Sequence, residues 1–323
     1  EVFRSKDKGE HWERISTIKG QFWSQLFFHN DALYMMGTIG PEGDYIIRKS
    51  TDGGYTWSVP IDRFSGRLLG GRYHSAPTPV VTHNGRIWKG IEDIYGYKGE
   101  WGKSFRSLVI SAAVDSDLLR SSSWRVSDPM PYDSLYLEGN FGGWLEGNAV
   151  VGPNGEIQNI LRVDYRAGHE KAAIQTISKD GKNVSFSPEK DFIDFYGGCK
   201  KFAIRYDSTN CCYWALSNYV PAQQKGYNPE RTRNTLALMR SDDLRNWHIK
   251  GIVLHHPDVN KHGFQYADFQ FEGNDIVFVS RTAFDDESGG ADNQHNANYL
   301  TFHRIQNYME YKTPQEWCKL LPD

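Results

Sequence analysis

The 323-residue sequence predicts an all-β fold, a β-propeller built of four-stranded antiparallel blades. Three observations carry that prediction. Aromatic residues make up 14% of the chain and 31 glycines punctuate it, a mixture that suits strands joined by tight turns rather than long helices. A short motif, Ser-x-Asp-x-Gly-x-Thr-Trp, is complete at residues 50–57 and returns with one mismatch at residues 5–12. A strand–turn–strand grammar also recurs in units of roughly 40–60 residues, the spacing of propeller blades.

Taken in order, the first full blade reads Leu26-Phe27-Phe28, turn Asn30-Asp31, then Ala32-Leu33-Tyr34-Met35-Met36. After the turn Gly40-Pro41-Glu42-Gly43 come Tyr45-Ile46-Ile47-Arg48-Lys49 and, as the fourth strand, Trp57-Ser58-Val59. The next blade pairs Thr78-Pro79-Val80-Val81 with Arg86-Ile87-Trp88-Lys89 across His83-Asn84-Gly85. The central blade pairs Gly147-Asn148-Ala149-Val150-Val151 with Ile157-Gln158-Asn159-Ile160-Leu161 across Pro153-Asn154-Gly155. Phe202-Ala203-Ile204-Arg205 and Tyr213-Trp214-Ala215-Leu216 follow, then Phe269-Gln270-Phe271 and Ile276-Val277-Phe278-Val279 around Gly273-Asn274-Asp275. The run Asn298-Tyr299-Leu300-Thr301-Phe302-His303 is expected to close the ring against the N-terminal strands, making residues 1–323 one domain. Residues 308–323 are amphipathic and predict a short terminal helix.

The motif has the physics of a hairpin turn. Its Asp accepts from backbone amides, its Gly takes the positive φ, and its Trp packs back under the hairpin. Degenerate copies run from Ser178-Lys179-Asp180-Gly181 to Phe186, from Ser241 through Asp243 to Trp247, and more loosely from Ser111 to Trp124. The motif resembles the Asp-box of sialidases and their relatives, and through its repeats the resemblance covers nearly the whole chain. It implies a sialidase-like propeller of six blades, with five or seven as the alternatives.

Charge and cysteine usage exclude several classes. Lys and Arg number 37 against 40 Asp and Glu, a net charge of −3, without the basic excess of a nucleic-acid binder. No apolar stretch approaches a membrane span of ~18–20 residues. The four cysteines form no CxxC pair, so neither zinc nor a redox dithiol is indicated. No His-x-His or HExxH spacing occurs, so no metal and no cofactor are expected at the site. The acidic loop 284–292 is either solvated or holds a structural Ca²⁺ through oxygen ligands. The abrupt opening on a strand-like segment suggests that an upstream piece has been removed, and a secreted or periplasmic monomer is expected.

In a propeller, side chains at the start of each inner strand share one rim. Glu146 precedes Gly147, and Arg162 ends the strand paired with that one, so a hairpin brings both to one edge. Tyr266 stands at the start of the last blade. The resemblance implies that Glu146 polarises the nucleophilic Tyr266 while Arg162 grips a substrate carboxylate. Tyrosine nucleophiles are a recognised exception among glycosidases. The sialidase pattern then breaks. Gln21-Phe22-Trp23-Ser24-Gln25 carries no Arg, and Lys200-Lys201 stand where a third Arg belongs. Lysine supplies charge without a bidentate fork.

His74 precedes the first strand of its blade and is a candidate acid or base, as is Asp44, which lies in the loop where a sialidase keeps its acid. Arg166, Lys201, Arg281, Asp268, Glu92 and His295 complete the expected substrate-binding set. Asp268 and Arg281 flank the last hairpin as Glu146 and Arg162 flank the central one, which fits a site or a buried structural pair. The leading expectation is an exo-acting glycoside hydrolase removing a terminal, acidic sugar from a glycan or polysaccharide. The alternatives are a uronate polysaccharide lyase using His74 and a Tyr, and a non-catalytic glycan-binding propeller.

Overall fold

The computed structural model describes residues 1–95 and 99–322. Its β strands form six sheets, five of which are propeller blades with strands in sequence order. β1 (Val2–Arg4) and β2 (Glu13–Ser16) pair with each other as a separate two-stranded sheet. The first blade contains β3 (Phe22–His29), β4 (Ala32–Thr38), β5 (Tyr45–Ser50) and β6 (Arg67–Leu69). The second contains β7 (Tyr73–His74), β8 (Val81–His83), β9 (Arg86–Asp93), β10 (Arg106–Ala113) and β11 (Trp124–Val126).

In the third blade lie β12 (Trp144–Val151), β13 (Ile157–Val163), β14 (Lys171–Ile177), β15 (Val184–Ser185) and β16 (Phe192–Asp194). The fourth holds β17 (Ala203–Asp207), β18 (Cys212–Asn218), β19 (Thr235–Ser241) and β20 (His248–His255). The fifth holds three strands, β21 (Gly263–Glu272), β22 (Asp275–Ala283) and β23 (Tyr299–Ile305). Five blades therefore replace the expected six, because the two N-terminal strands pair only with each other among the described residues.

Local chemistry explains the other departures. The inner strand of the second blade is split, with β7 and β8 both pairing with β9. Pro77 and Pro79 fall in the gap and have no N–H for the ladder. The fourth strand of the first blade is β6, not residues 57–59. Trp57 turns back to donate its indole N–H to Gly54 O at 2.9 Å, and Pro60 cannot extend a ladder. The expected terminal helix is two 3₁₀ turns, Tyr308–Glu310 and Gln315–Leu320. Pro314 separates them and disfavours the α conformation at Thr313. Asp323, the last residue of that expectation, lies outside the described residues.

Four of the motif turns share one hydrogen-bond scheme. Ser50 Oγ donates to Asp52 Oδ1 at 2.8 Å and accepts the Gly54 N–H at 2.8 Å. Ser5 repeats both bonds to Asp7 and Gly9, at 2.8 and 2.7 Å. Ser241 does so with Asp243 and Leu244, at 3.1 and 2.9 Å. At the Ser178 copy the Ser bonds Asp180 at 2.7 Å and accepts the Lys182 amide at 3.2 Å. Hydrogen bonds to Thr56 and Ser50 hold the Asp52 carboxyl well below the usual carboxylate range.

The chain divides into two compact units. The first is Glu1–Tyr132, Leu145–Ala149 and Ile177–Val184. Its core joins Tyr34, Met36, Tyr45 and Ile47 to Ile87, Ile91, Leu108 and Ile110. The second is Asp133–Trp144, Val150–Thr176 and Ser185–Asp323. One of its cores joins Val150, Ile160, Ile174 and Phe202 to Met239 and Trp247, and another joins Trp214, Leu238, Phe269 and Phe278 to Tyr308. At about 25 cal/mol per Å² of apolar surface, burial of this kind is the main stabilising term.

Candidate active site

In the first unit, the β7–β9 register sets His74 directly opposite Glu92. His74 Nδ1 lies 3.1 Å from Glu92 Oε2, with both side chains buried. The other carboxylate oxygen of Glu92 accepts the Gly147 N–H at 3.0 Å, the amide directly after Glu146. Trp23, Phe105 and Trp101 surround the imidazole at ring-centroid distances of 4.6, 5.0 and 5.6 Å. A histidine held by a carboxylate inside an aromatic wall has the construction of a proton-transfer group whose orientation is fixed in advance.

In the second unit, Tyr266 sits at a register shift between Gln265 and Asp268 in the β21–β22 pairing. The Arg281 guanidinium lies 5.1 Å from its ring centroid and that of Arg233 lies 5.8 Å away. Both arginines are also held by hydrogen bonds. Arg281 donates to His295 O at 3.1 Å, and Arg233 donates to Gln265 Oε1 at 2.6 Å. Two guanidiniums at these distances from one ring are in cation–π range. Burial, reinforced by Arg233, pushes the His295 imidazole below its ordinary value.

Three residues on inner strands adopt left-handed backbone: Trp23 at φ 43°, Glu146 at 58° and Tyr266 at 54°. They lie on β3, β12 and β21, the first strands of three blades. The Trp23 and Tyr266 positions coincide with register shifts. Such backbone costs of order 1–3 kcal/mol per residue and persists where the surroundings impose it, commonly at functional sites. Two of these three residues are catalytic candidates from the sequence.

The other sequence candidates divide into groups. Arg162 and Arg166 come together on Glu230, at 3.3 and 2.9 Å, and Arg166 also forks onto Asp164 at 2.9 and 3.2 Å. Lys200 pairs with Glu170 at 2.5 Å, and Lys201 donates to Ala267 O at 2.5 Å. These cations are thus matched locally by acids or carbonyls rather than forming an open positive cluster. Asp44 accepts the Gly71 N–H at 2.8 Å and pairs with Arg67 at 2.6 Å, which ties it into a loop brace. Asp268 does not pair with Arg281. The register shift sets Asp268 opposite Val279, and its carboxylate meets Arg205 at 3.2 Å.

Sequence reasoning missed Glu230 and Arg233. Both lie in Asn228-Pro229-Glu230-Arg231-Thr232-Arg233, the loop between the second and third strands of its blade. In the first blade the corresponding loop holds Asp44. A Pro-led cluster of charges there was the available signal.

No protein-family model matches the chain, and no curated protein is detectably similar in sequence. Among solved structures, Trypanosoma rangeli sialidase in complex with sialic acid is 14% identical with a TM-score of 0.57, covering 95% of this chain and 50% of that one. The α-L-arabinofuranosidase of Lactobacillus brevis is 10% identical with a TM-score of 0.54, covering 92% and 95%. The GH43 endo-arabinanase of Bacillus licheniformis is 14% identical with a TM-score of 0.50, covering 88% and 94%. The chain spans about half the length of the sialidase chains it matches. These similarities establish the fold, an all-β propeller of the kind seen in sialidases and GH43 enzymes.

Proposed function

We propose that the protein is a carbohydrate-active enzyme, an exo-acting glycoside hydrolase that removes a terminal, acidic sugar. The observation that carries the reading is Tyr266, held at φ 54° with the guanidiniums of Arg281 and Arg233 against its ring. A strained, cation-flanked tyrosine suits a phenolate nucleophile. In this reading Tyr266 Oη attacks the anomeric carbon as the glycosidic C–O bond breaks, and water then releases the sugar. Glu146 keeps the base's role that the resemblance implies. His74, backed by Glu92, protonates the leaving oxygen; Asp44, already braced by Arg67, is the less suitable acid. The solved neighbours, which include a sialidase, an arabinofuranosidase and an arabinanase, support a glycan as substrate.

The His74–Glu92 pair favours one second reading. A carboxylate-held imidazole also suits removal of the proton beside a uronate carboxylate, as a lyase requires. Incubation with a panel of sialosides and uronate-containing polysaccharides separates the readings. A hydrolase releases reducing sugar without ultraviolet absorbance, and a lyase releases unsaturated products that absorb. Binding without product from any glycan leaves a lectin-like propeller. A monomeric state and a location outside the cytoplasm belong to the same proposal. No helix among the described residues is long and apolar enough to cross a membrane.

A further inference from the structure

The loop after β20 and the loop after β22 bring together a cluster that the proposed reaction does not use. One ring nitrogen each of His256 and His262 and a carboxylate oxygen of Asp285 lie within 4.8 Å of one another. The two imidazoles stack at 3.5 Å between centroids with planes 21° apart. Phe284 closes them off edge-on, at 5.4 Å from His256 and 4.9 Å from His262.

His262 makes the cluster informative. Its side chain is 4% exposed, with Nε2 3.4 Å from Asp285 Oδ2 and Nδ1 3.4 Å from Asp258 Oδ2. Both nitrogens are buried with no hydrogen-bond partner. A buried imidazole lacking hydrogen bonds on both sides is costly, and native structures generally avoid it. The 3.4 Å spacing is long for a hydrogen bond, yet it suits two ligands on one ion. Ligands held ~2.0–2.1 Å from a tetrahedral zinc lie roughly 3.3–3.4 Å apart.

We infer that His256, His262 and Asp285 form a site for a divalent transition metal ion of the zinc class, with Asp258 orienting His262. A metal on His262 Nε2 and a carboxylate on its Nδ1 make the carboxylate–histidine–metal arrangement that fixes ring orientation and raises ligand basicity. Two imidazoles with one carboxylate suit zinc, nickel or cobalt better than calcium or magnesium, which prefer all-oxygen shells. Three protein ligands leave a fourth position for water. Asp285 is 71% exposed, which gives the ion a path from solvent. His256 gives up one interaction on binding, the Asp258 N–H bond to its Nδ1 at 3.2 Å. The site draws one aspartate from the acidic 284–292 loop, which the sequence reads as either solvated or holding a structural Ca²⁺.

The test uses the whole chain, stripped with a chelator and titrated with Zn²⁺ by calorimetry and with Co²⁺ by visible absorption. The expected result is one ion per chain and the intense visible bands of four-coordinate Co²⁺. Asp285→Asn should weaken binding at least about tenfold without changing the melting temperature of the metal-free protein, because the side chain is exposed. Asp258→Asn should weaken it by about 10–100-fold. If His262→Gln fails to fold, Asp285→Asn still decides. The exposed Asp7, Glu10 and His11 cluster is the internal control, and His11→Ala should leave the affinity unchanged. No saturable one-to-one binding overturns the inference. So does wild-type affinity in Asp285→Asn, or loss of binding in His11→Ala. None of these outcomes depends on glycan turnover.

Discussion

His74 Nδ1 stands 3.1 Å from Glu92 Oε2, and the same carboxylate holds the Gly147 amide at 3.0 Å. One buried acid thus fixes an imidazole and the backbone beside Glu146. If His74 is the acid of the reaction, His74→Ala lowers kcat by about 10²–10⁴-fold. Glu92→Gln keeps the shape but loses the carboxylate that orients the imidazole, so kcat should fall while KM is little changed. A lower melting temperature with an unchanged kcat would reduce Glu92 to a structural role.

The C-terminal 3₁₀ turn is anchored by one buried bond. Tyr308 Oη donates to Asp207 Oδ2 at 2.7 Å, and burial together with that carboxylate pushes the phenol up to about 12. Tyr308→Phe deletes the donor and leaves the acid in place. The expected cost is about 1–3 kcal/mol, read as a lower urea midpoint with an unchanged slope.

Stability should fall on mild acidification. Burial lowers the His295 and His303 imidazoles below the ordinary 6.5. The folded state therefore favours their neutral forms, while the unfolded chain takes up protons first as pH drops below 6.5. Unfolding is then linked to proton uptake, and stability is lost between that pH and the lower folded values. Melting temperatures across pH 7.5 to 5 should decline, and His303→Gln should flatten part of the decline. A flat profile in the wild type would contradict the assignment.

Thiol reactivity should divide the four free cysteines in two. Cys211 and Cys318 are exposed, whereas Cys199 and Cys212 are buried. Burial pushes the Cys199 thiol up to about 11 and also raises that of Cys212, so little thiolate is available to react. A chromogenic thiol reagent should count two thiols in the native protein and four in denaturant. A third fast thiol would show that one of the buried pair opens.

The strands and motif turns were legible because period, turn residues and aromatic placement are local. The cross-strand pair His74 and Glu92 follows from its hairpin in the same way. What failed depended on register and on loops. Past the bulge at Tyr266, Asp268 stands opposite Val279 and its carboxylate meets Arg205 rather than Arg281, and a one-residue bulge of that kind leaves no periodic trace. Glu230, which gathers Arg162 and Arg166, sits in a loop whose path no repeat dictates. The burial of His262, whose side chain is 4% exposed, depends on a later loop that brings Phe284 and Asp285 against it, and local sequence does not announce that contact. Blade number escaped for a related reason: the motif at Ser5 marks a turn, but it does not say which strands pair around it.

The most direct measurement compares wild type with Tyr266→Phe on the glycan that the wild type turns over, following release of the terminal sugar. The variant keeps the ring, its packing against the two guanidiniums and the backbone bulge, and loses only the hydroxyl. The account predicts a properly folded protein whose kcat falls by at least about 10³-fold. Turnover by Tyr266→Phe within a few-fold of wild type would contradict it.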